Sequence, residues 1–341
     1  MTSLARTDTS IVGQWWWTVD RWSLLAVIIL LGFGIVLSMT VGPAAADRIP
    51  SSDNLHFVKR HLMLAPVALA LIVGISLLSP RQVRRVAAIL MIVSLLLLVV
   101  TLVIGAETKG ATRWINLGVV SLQPSEFAKP AFAVVAAWLF TLGRRDTEFP
   151  GAAISTGLFA ALLVLLLLQP DLGQSVVLGA VWISQFFLAG MPLALVFALV
   201  LAGTAGLVGA YFVFPHVANR IDRFFDPVPE KNSQIERSLD AFMNGGVFGR
   251  GPGEGTIKNN LPDAHSDFIF AVAGEELGLI ACIVLVALFV FIVLQGFARA
   301  LQDENLFVIL AVGGLLTQFG LQALINMGSS LDLMPTKGMT L

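Results

Sequence analysis

The chain has one cysteine, four histidines and one tyrosine, and only 13% of its 341 residues are charged, against about 25% in a soluble domain. A lone thiol, Cys282, excludes an intrachain disulfide, and its place in an apolar run makes it a small packed hydrophobe. The histidines (His56, His61, His216 and His265) are scattered, with neither an HExxH pair nor a cysteine partner. Zinc-hydrolase and structural zinc sites are thereby excluded. Neither sign of charge prevails: 21 Lys+Arg face 22 Asp+Glu, a net −1, which excludes the basic face of a nucleic-acid binder. What is abundant is hydrophobic residues, at 57%. That is too many for a disordered chain or an ordinary water-soluble globule, so the surplus must face lipid.

A bilayer core takes about 20 apolar residues per helix. Nine such runs are present, near residues 23–41, 62–78, 86–106, 127–142, 151–168, 175–190, 191–214, 267–297 and 306–327. The sixth and seventh are parted only by Gly190-Met191-Pro192. The fold class is therefore an all-α polytopic membrane protein. Residues 1–22 are a polar N-terminal segment in which Trp15-Trp16-Trp17 reads as an interfacial belt. Two connections exceed simple turns, 107–126 and 215–266. In the second, Ser233-Gln234-Ile235-Glu236 reads as a capping box for a short helix whose apolar face is Ile235, Leu239, Phe242 and Met243, ended by Gly245-Gly246. Basic clusters in the short loops 79–86 and 143–150 place the N-terminus in the cytoplasm and the long loop outside. A bare count of Lys and Arg favours the reverse, because six lie in the long loop.

Charge within a spanning segment marks candidate sites. Gln123-Pro124-Ser125-Glu126-Phe127-Ala128-Lys129-Pro130 opens the fourth span. Glu126 and Lys129, three apart, share a helix face and can pair, either to hold helices together or to present Lys129 to an anionic group. Arg113 and Trp114 can extend that pocket. In Gln169-Pro170-Asp171-Leu172-Gly173 the acid suits a helix N-cap. Asn244 to Gly255 holds six glycines and is followed by Lys258. It reads as a flexible lid or, with Arg250 and Lys258, as backbone able to approach a phosphate. No GK[ST] follows, so it is not a nucleotide P-loop. In His265-Ser266-Asp267-Phe268-Ile269-Phe270, Asp267 falls on the helical face of Gly274 and Gly278, with Glu276 opposite. A desolvated carboxylate there can act as a base or as a helix cap. Gln318, Gln322 and Asn326 recur one turn apart and suit interhelical hydrogen bonds.

The segments 123–130, 169–173, 219–221, 245–255, 261–270, 274–278 and Pro335-Thr336-Lys337-Gly338-Met339-Thr340-Leu341, taken in order, resemble the SEDS family (shape, elongation, division, sporulation) of bacterial wall polymerases, from about Ser23 to the last residue. Gly253-Glu254-Gly255-Thr256-Ile257-Lys258 resembles the division branch more than the elongation branch, and residues 15–21 resemble alphaproteobacterial division proteins. The resemblance implies one transmembrane domain, 23–341, with the loop 215–266 extracytoplasmic, and ten spans, the tenth lying beyond Leu341. It implies an inverting peptidoglycan glycosyltransferase that polymerises lipid II onto the nascent undecaprenyl-pyrophosphate-linked glycan. It also implies a class B penicillin-binding protein and other divisome proteins as partners, at the septum in the cytoplasmic membrane. For such chemistry Asp267 is the expected catalytic base. Glu126, Lys129, Arg113, Gln123, Ser125, Asp171, Lys258 and His265 are the expected substrate-binding set. A divalent cation such as magnesium or manganese could share the pyrophosphate's charge, although no ligand cluster specifies one. A flippase for lipid-linked precursors, from a different functional class, would also place polar groups between helices.

Overall fold

The computed structural model describes residues 10–46, 56–108, 111–116, 121–225 and 234–334. Ser233 of the expected capping box and the motif 335–341 lie outside them. The chain divides into two compact units, Met1–Ser79 with Asp222–Gln295 and Ala323–Leu341, and Pro80–Ile221 with Gly296–Gln322. In chain order the helices begin with α1 (Ile11–Thr18), α2 (Arg21–Ala46), α3 (His56–Ser76) and α4 (Pro80–Ile104). A small antiparallel sheet follows, of β1 (Ala106–Thr108), β2 (Ala111–Asn116) and β3 (Ser121–Leu122), with β2 in the middle. Then come α5 (Pro124–Arg145), α6 (Gly151–Leu168), α7 (Leu172–Leu188), α8 (Leu193–Val213), α9 (Pro215–Phe225), α10 (Gln234–Gly245), a 3₁₀ turn (Ile257–Asn260), α11 (Ile269–Ala300) and α12 (Leu306–Ser330).

Each of the nine apolar runs coincides with a helix. Eight are long and apolar enough to cross a membrane, and the ninth, α7, has 17 residues. The protein is an all-α polytopic membrane protein. Its helices start and stop where the local chemistry dictates. Pro80 and Pro124 stand at first helical positions, where a missing N–H costs nothing. Arg144 and Arg145 close α5 at its negative dipole end, and Gly190 takes φ +75° in the turn before α8. Within the polar connection 107–126, residues 107–108, 111–116 and 121–122 pair into the sheet. Ala106 faces Trp114, and Ile115 faces Leu122, because short stretches with β-branched and aromatic residues satisfy their backbone by pairing.

In the unit Pro80–Ile221 with Gly296–Gln322, α5 is the central helix. Ala128, Ala131, Ala133, Ala136 and Ala137 are at most 3% exposed, and such small side chains let neighbouring helices approach closely without any hydrophobic drive between them. Phe132, Phe140, Leu162, Leu166, Leu178 and Trp182 fill the core, with Phe159 stacked on Trp182 at 4.9 Å. In the other unit, Leu37, Val41, Ala241, Leu261, Phe268 and Ala271 share a second core. There α1 ends in the tryptophans: Trp15 Nε1 donates to Ser76 Oγ at 2.7 Å, and the Arg21 guanidinium lies 4.9 Å over Trp16.

Two sequence expectations are corrected in this second unit. Helix α10 forms where expected: Ser238, Ala241 and Gly245 are buried, Phe242 packs against the core with Ile235 and Leu239 half-buried, and only Met243, 80% exposed, leaves the expected apolar face. Close backbone approach explains the buried small residues. A Cβ on Gly245 would strike the carbonyl of Gly274, and one on Gly274 would strike the Phe242 ring. The eighth apolar run is also not one continuous helix, because α11 breaks at Gly278, at φ 81° and ψ 179°, a conformation essentially confined to glycine.

Candidate active site

In the unit built around α5, a polar cluster gathers where that helix begins. Lys129 is 1% exposed, and its ammonium lies 2.9 Å from Glu126 Oε2, the i,i+3 pair expected from spacing. A third member was not singled out from the sequence. Lys129 Nζ also donates to Gln174 Oε1, and Gln174 Nε2 donates to Glu126 Oε1 at 2.6 Å, so Gln174 bridges both charges. Gln322 Nε2 reaches Glu126 Oε2 at 3.4 Å. The signal available was the position of Gln174, three residues past Asp171 on the first turn of α7, but a glutamine there has no distinctive spacing.

Asp171 caps α7, accepting from the N–H of Gln174 at 3.5 Å, which bears out the structural reading of that acid. Gln123 Nε2 donates to its other oxygen at 3.5 Å, and Arg113 Nε lies 3.6 Å from it. The Arg113 guanidinium also donates to the carbonyls of Gln169 and Pro170 at the end of α6, where a cation suits the helix dipole. Gln169 is held in turn through Nε2 to Leu98 O at 3.0 Å. Arg113 therefore does join the cluster, but with several donors already engaged. Ser125, 1% exposed, has a hydroxyl without a hydrogen-bond partner among the described residues. The two acids Glu126 and Asp171 balance Lys129 and Arg113. An anionic ligand would thus draw on Lys129 by competing with Glu126, whose side chain is 39% exposed.

The other unit carries Asp267 and the glycine-rich segment. Asp263 adopts φ +52°, and its carbonyl accepts the N–H groups of Ser266, Asp267 and Phe268 at 3.1, 3.0 and 3.3 Å. This turn delays α11 to Ile269, so Asp267 precedes the helix. That late start, together with the break at Gly278, takes Asp267 off the helical face that its spacing gave it with Gly274 and Gly278. Asp267 is half-buried, with Phe268 and Phe270 buried beside it, and Asn326 Nδ2 donates to its carbonyl at 3.3 Å. His265 is exposed.

Lys258 does not present a free cation. It is 4% exposed and ion-paired with Glu276, which is fully buried. Nor is the glycine-rich segment a loose lid. Glu275 accepts from Asn244 Nδ2 (2.8 Å) and from the N–H groups of Thr256 (2.8 Å), Ile257 (2.7 Å) and Lys258 (2.9 Å). Glu276 accepts the N–H of Gly253. Arg250 is turned back onto Asn244. The amides that could have cradled a phosphate are occupied by the chain's own carboxylates, and a Cβ at Gly255 would lie 2.7 Å from Glu276 Oε1. The spacing set Glu276 opposite Asp267 and gave Glu275 no partner, because the break at Gly278 and the loop that folds onto both acids are not visible in the sequence. Among the described residues, no three histidine, cysteine, aspartate or glutamate side chains group as a metal site.

Residues 21–341 match the family described as cell cycle protein, which covers FtsW, RodA and SpoVE. The chain is 42% identical over 339 residues to a Caulobacter vibrioides protein named probable peptidoglycan glycosyltransferase FtsW, covering 99% of this chain and 87% of that one. It is 36% identical over 343 residues to a protein of the same name from Alkalilimnicola ehrlichii, covering 96% and 84%. Among solved structures, one described as structural coordination of polymerization and crosslinking by a peptidoglycan synthase complex superposes with a TM-score of 0.76 at 27% identity, covering 95% of this chain and 90% of that one. The rod shape determining protein RodA of Thermus thermophilus gives 0.65 at 26% identity, covering 96% and 89%. With matched residues running through both units, the chain belongs to the FtsW/RodA/SpoVE family of cell cycle proteins.

Proposed function

We propose that this protein is a peptidoglycan glycosyltransferase of the division type, which polymerises lipid II in the bacterial cytoplasmic membrane at the septum alongside a class B penicillin-binding protein. The observation that carries the reading is the 42% identity over 339 residues to a relative of that name. In the reaction, the 4-hydroxyl of an incoming N-acetylglucosamine attacks the anomeric carbon of the pyrophosphate-linked sugar with inversion. The new glycosidic bond forms as the bond to pyrophosphate breaks.

Asp267 takes the hydroxyl proton. It is half-buried at a rigid turn, which supports a base that is reachable yet partly screened from water. Lys129, oriented by Glu126 and Gln174, meets the departing pyrophosphate, a role supported by its burial beside a partly exposed acid. Ser125 offers a hydroxyl to the same group, and Arg113, Gln123 and Asp171 hold the start of α5 against α7. The segment 215–266 is extracytoplasmic in this reading.

Purified protein given lipid II in detergent, with no membrane to cross, is expected to yield glycan polymers. Absence of polymer there, together with translocation of lipid II in vesicles, would instead assign the flippase function.

A further inference from the structure

The glycine-rich segment presents an apolar tip. Phe248 is 82% exposed, Met243 80% and Val247 52%. The backbone that carries them is fastened. Gly249 N–H donates to Gly245 O at 2.9 Å, and Arg250 and Gly251 N–H donate to the carbonyls of Glu275 and Glu276 at 2.9 and 3.0 Å. The carbonyls of Gly246 and Val247 accept from Leu279 and Ile280 at 3.0 and 3.3 Å. A Cβ on Gly278 would strike the backbone of Val247, Phe248 and Gly249.

Those bonds set the level of the tip along α11. Beyond the break at Gly278 the helix continues through residues 279–300. That is about 33 Å at 1.5 Å per residue, close to the hydrocarbon thickness of about 30 Å. Its first turns expose Leu279 (53%), Ile280 (48%) and Ile283 (58%), as a lipid-facing helix surface does. On the near side of Gly278 lie Glu275 and Glu276, both buried by the loop. The change from buried side chains (270–276) to exposed apolar ones falls at the residue where the tip is fastened. The apolar tip is thus continuous with the lipid-facing surface of α11.

We propose that Met243, Val247 and Phe248 form a fixed membrane anchor, inserted among lipid chains at the headgroup boundary where α11 enters the hydrocarbon. Irregular backbone is tolerated at that depth only when its polar groups are satisfied within the protein, and the Glu275 and Glu276 side chains and carbonyls do this. Arg250, two residues past the tip and exposed, keeps its charge at headgroup level.

The test reads lipid contact and no activity, so it is independent of the glycosyltransferase reading. Phe248→Cys and Met243→Cys, in a Cys282→Ala background, are labelled with bimane and reconstituted in phosphatidylglycerol/phosphatidylethanolamine vesicles. Glu254→Cys, on an exposed residue of the same loop, is the reference. Phospholipids bearing a doxyl group at acyl carbon 5 are expected to quench both tip labels at least threefold more than the label at position 254, and aqueous iodide is expected to do the reverse. Equal iodide quenching at all three positions, without doxyl quenching at the tip, overturns the proposal and leaves the patch as a water-facing surface for a protein partner. If only the label at 243 is quenched by lipid, Phe248 is not part of an anchor and the proposal also fails.

Discussion

Replacing Lys258 by methionine removes an ammonium that is 4% exposed and leaves Glu276, 0% exposed, with the Gly253 N–H. Breaking a buried ion pair on one side costs about 3–5 kcal/mol. Because the pair fastens residues 253–258 to α11, that cost falls on local opening of the loop rather than on unfolding of the spans. At about 1.4 kcal/mol per decade the open population rises by roughly two to three and a half orders of magnitude. Limited trypsin cleavage after Arg250, in purified protein in detergent, reads that population. Lys258→Met is expected to be cut at least 100-fold faster than the parent. The double variant Lys258→Met/Glu276→Gln, in which position 276 no longer carries a charge and its amide oxygen still accepts from Gly253, is expected to return to within tenfold of it and to recover polymerisation. If Lys258→Met is cut at the parental rate yet polymerises nothing, Lys258 is a substrate cation and the structural assignment is refuted.

Gln174→Leu removes both hydrogen bonds that bridge Glu126 and Lys129. At about 1 kcal/mol each, polymerisation is expected to fall about tenfold or more. Gln322→Leu, which loses two long bonds of 3.4 Å, one to Glu126 and one from Gln318, and leaves the Glu126–Lys129 bridge in place, should fall much less, and equal losses in initial-rate assays would refute the bridging role. For topology, cysteines at Thr147 and Glu254, both exposed, in a Cys282→Ala background should react with an impermeant maleimide from opposite sides, with only position 254 labelled in intact spheroplasts. Labelling of Thr147 there would reverse the orientation.

The fold was legible where a single local property decides it. Each of the nine apolar runs became helical, the eighth with a break at Gly278, the Gly190-Met191-Pro192 turn parted α7 from α8, and an acid before Leu172 became a cap, because run length, turn chemistry and capping are properties of adjacent residues. The Glu126–Lys129 pair was legible for the same reason, since i and i+3 meet on any helix. What stayed hidden depends on residues distant in sequence. Nothing near Lys258 announces that its partner is Glu276. A glycine at 278 looks like any small helix residue until its φ is known. The burial of the small residues of α10 beside Phe242 comes from the close backbone of Gly274. The position of Asp267 failed in a similar way: a helical wheel extrapolated backward assumes that the helix has already begun, and Asp263, at positive φ, prevents that.

The claim that this protein forms glycosidic bonds through Asp267 is tested most directly by polymerisation of lipid II with Asp267→Asn beside Asp263→Asn. Both substitutions keep side-chain size. Asparagine tolerates the positive φ at position 263 at least as well as aspartate does, so the second variant controls for disturbance of the turn. A general base contributes about 10²–10⁴ in rate. The account predicts that Asp267→Asn loses at least a hundredfold at unchanged protein yield, while Asp263→Asn stays within threefold of the parent. An active Asp267→Asn protein with a dead Asp263→Asn protein would contradict it.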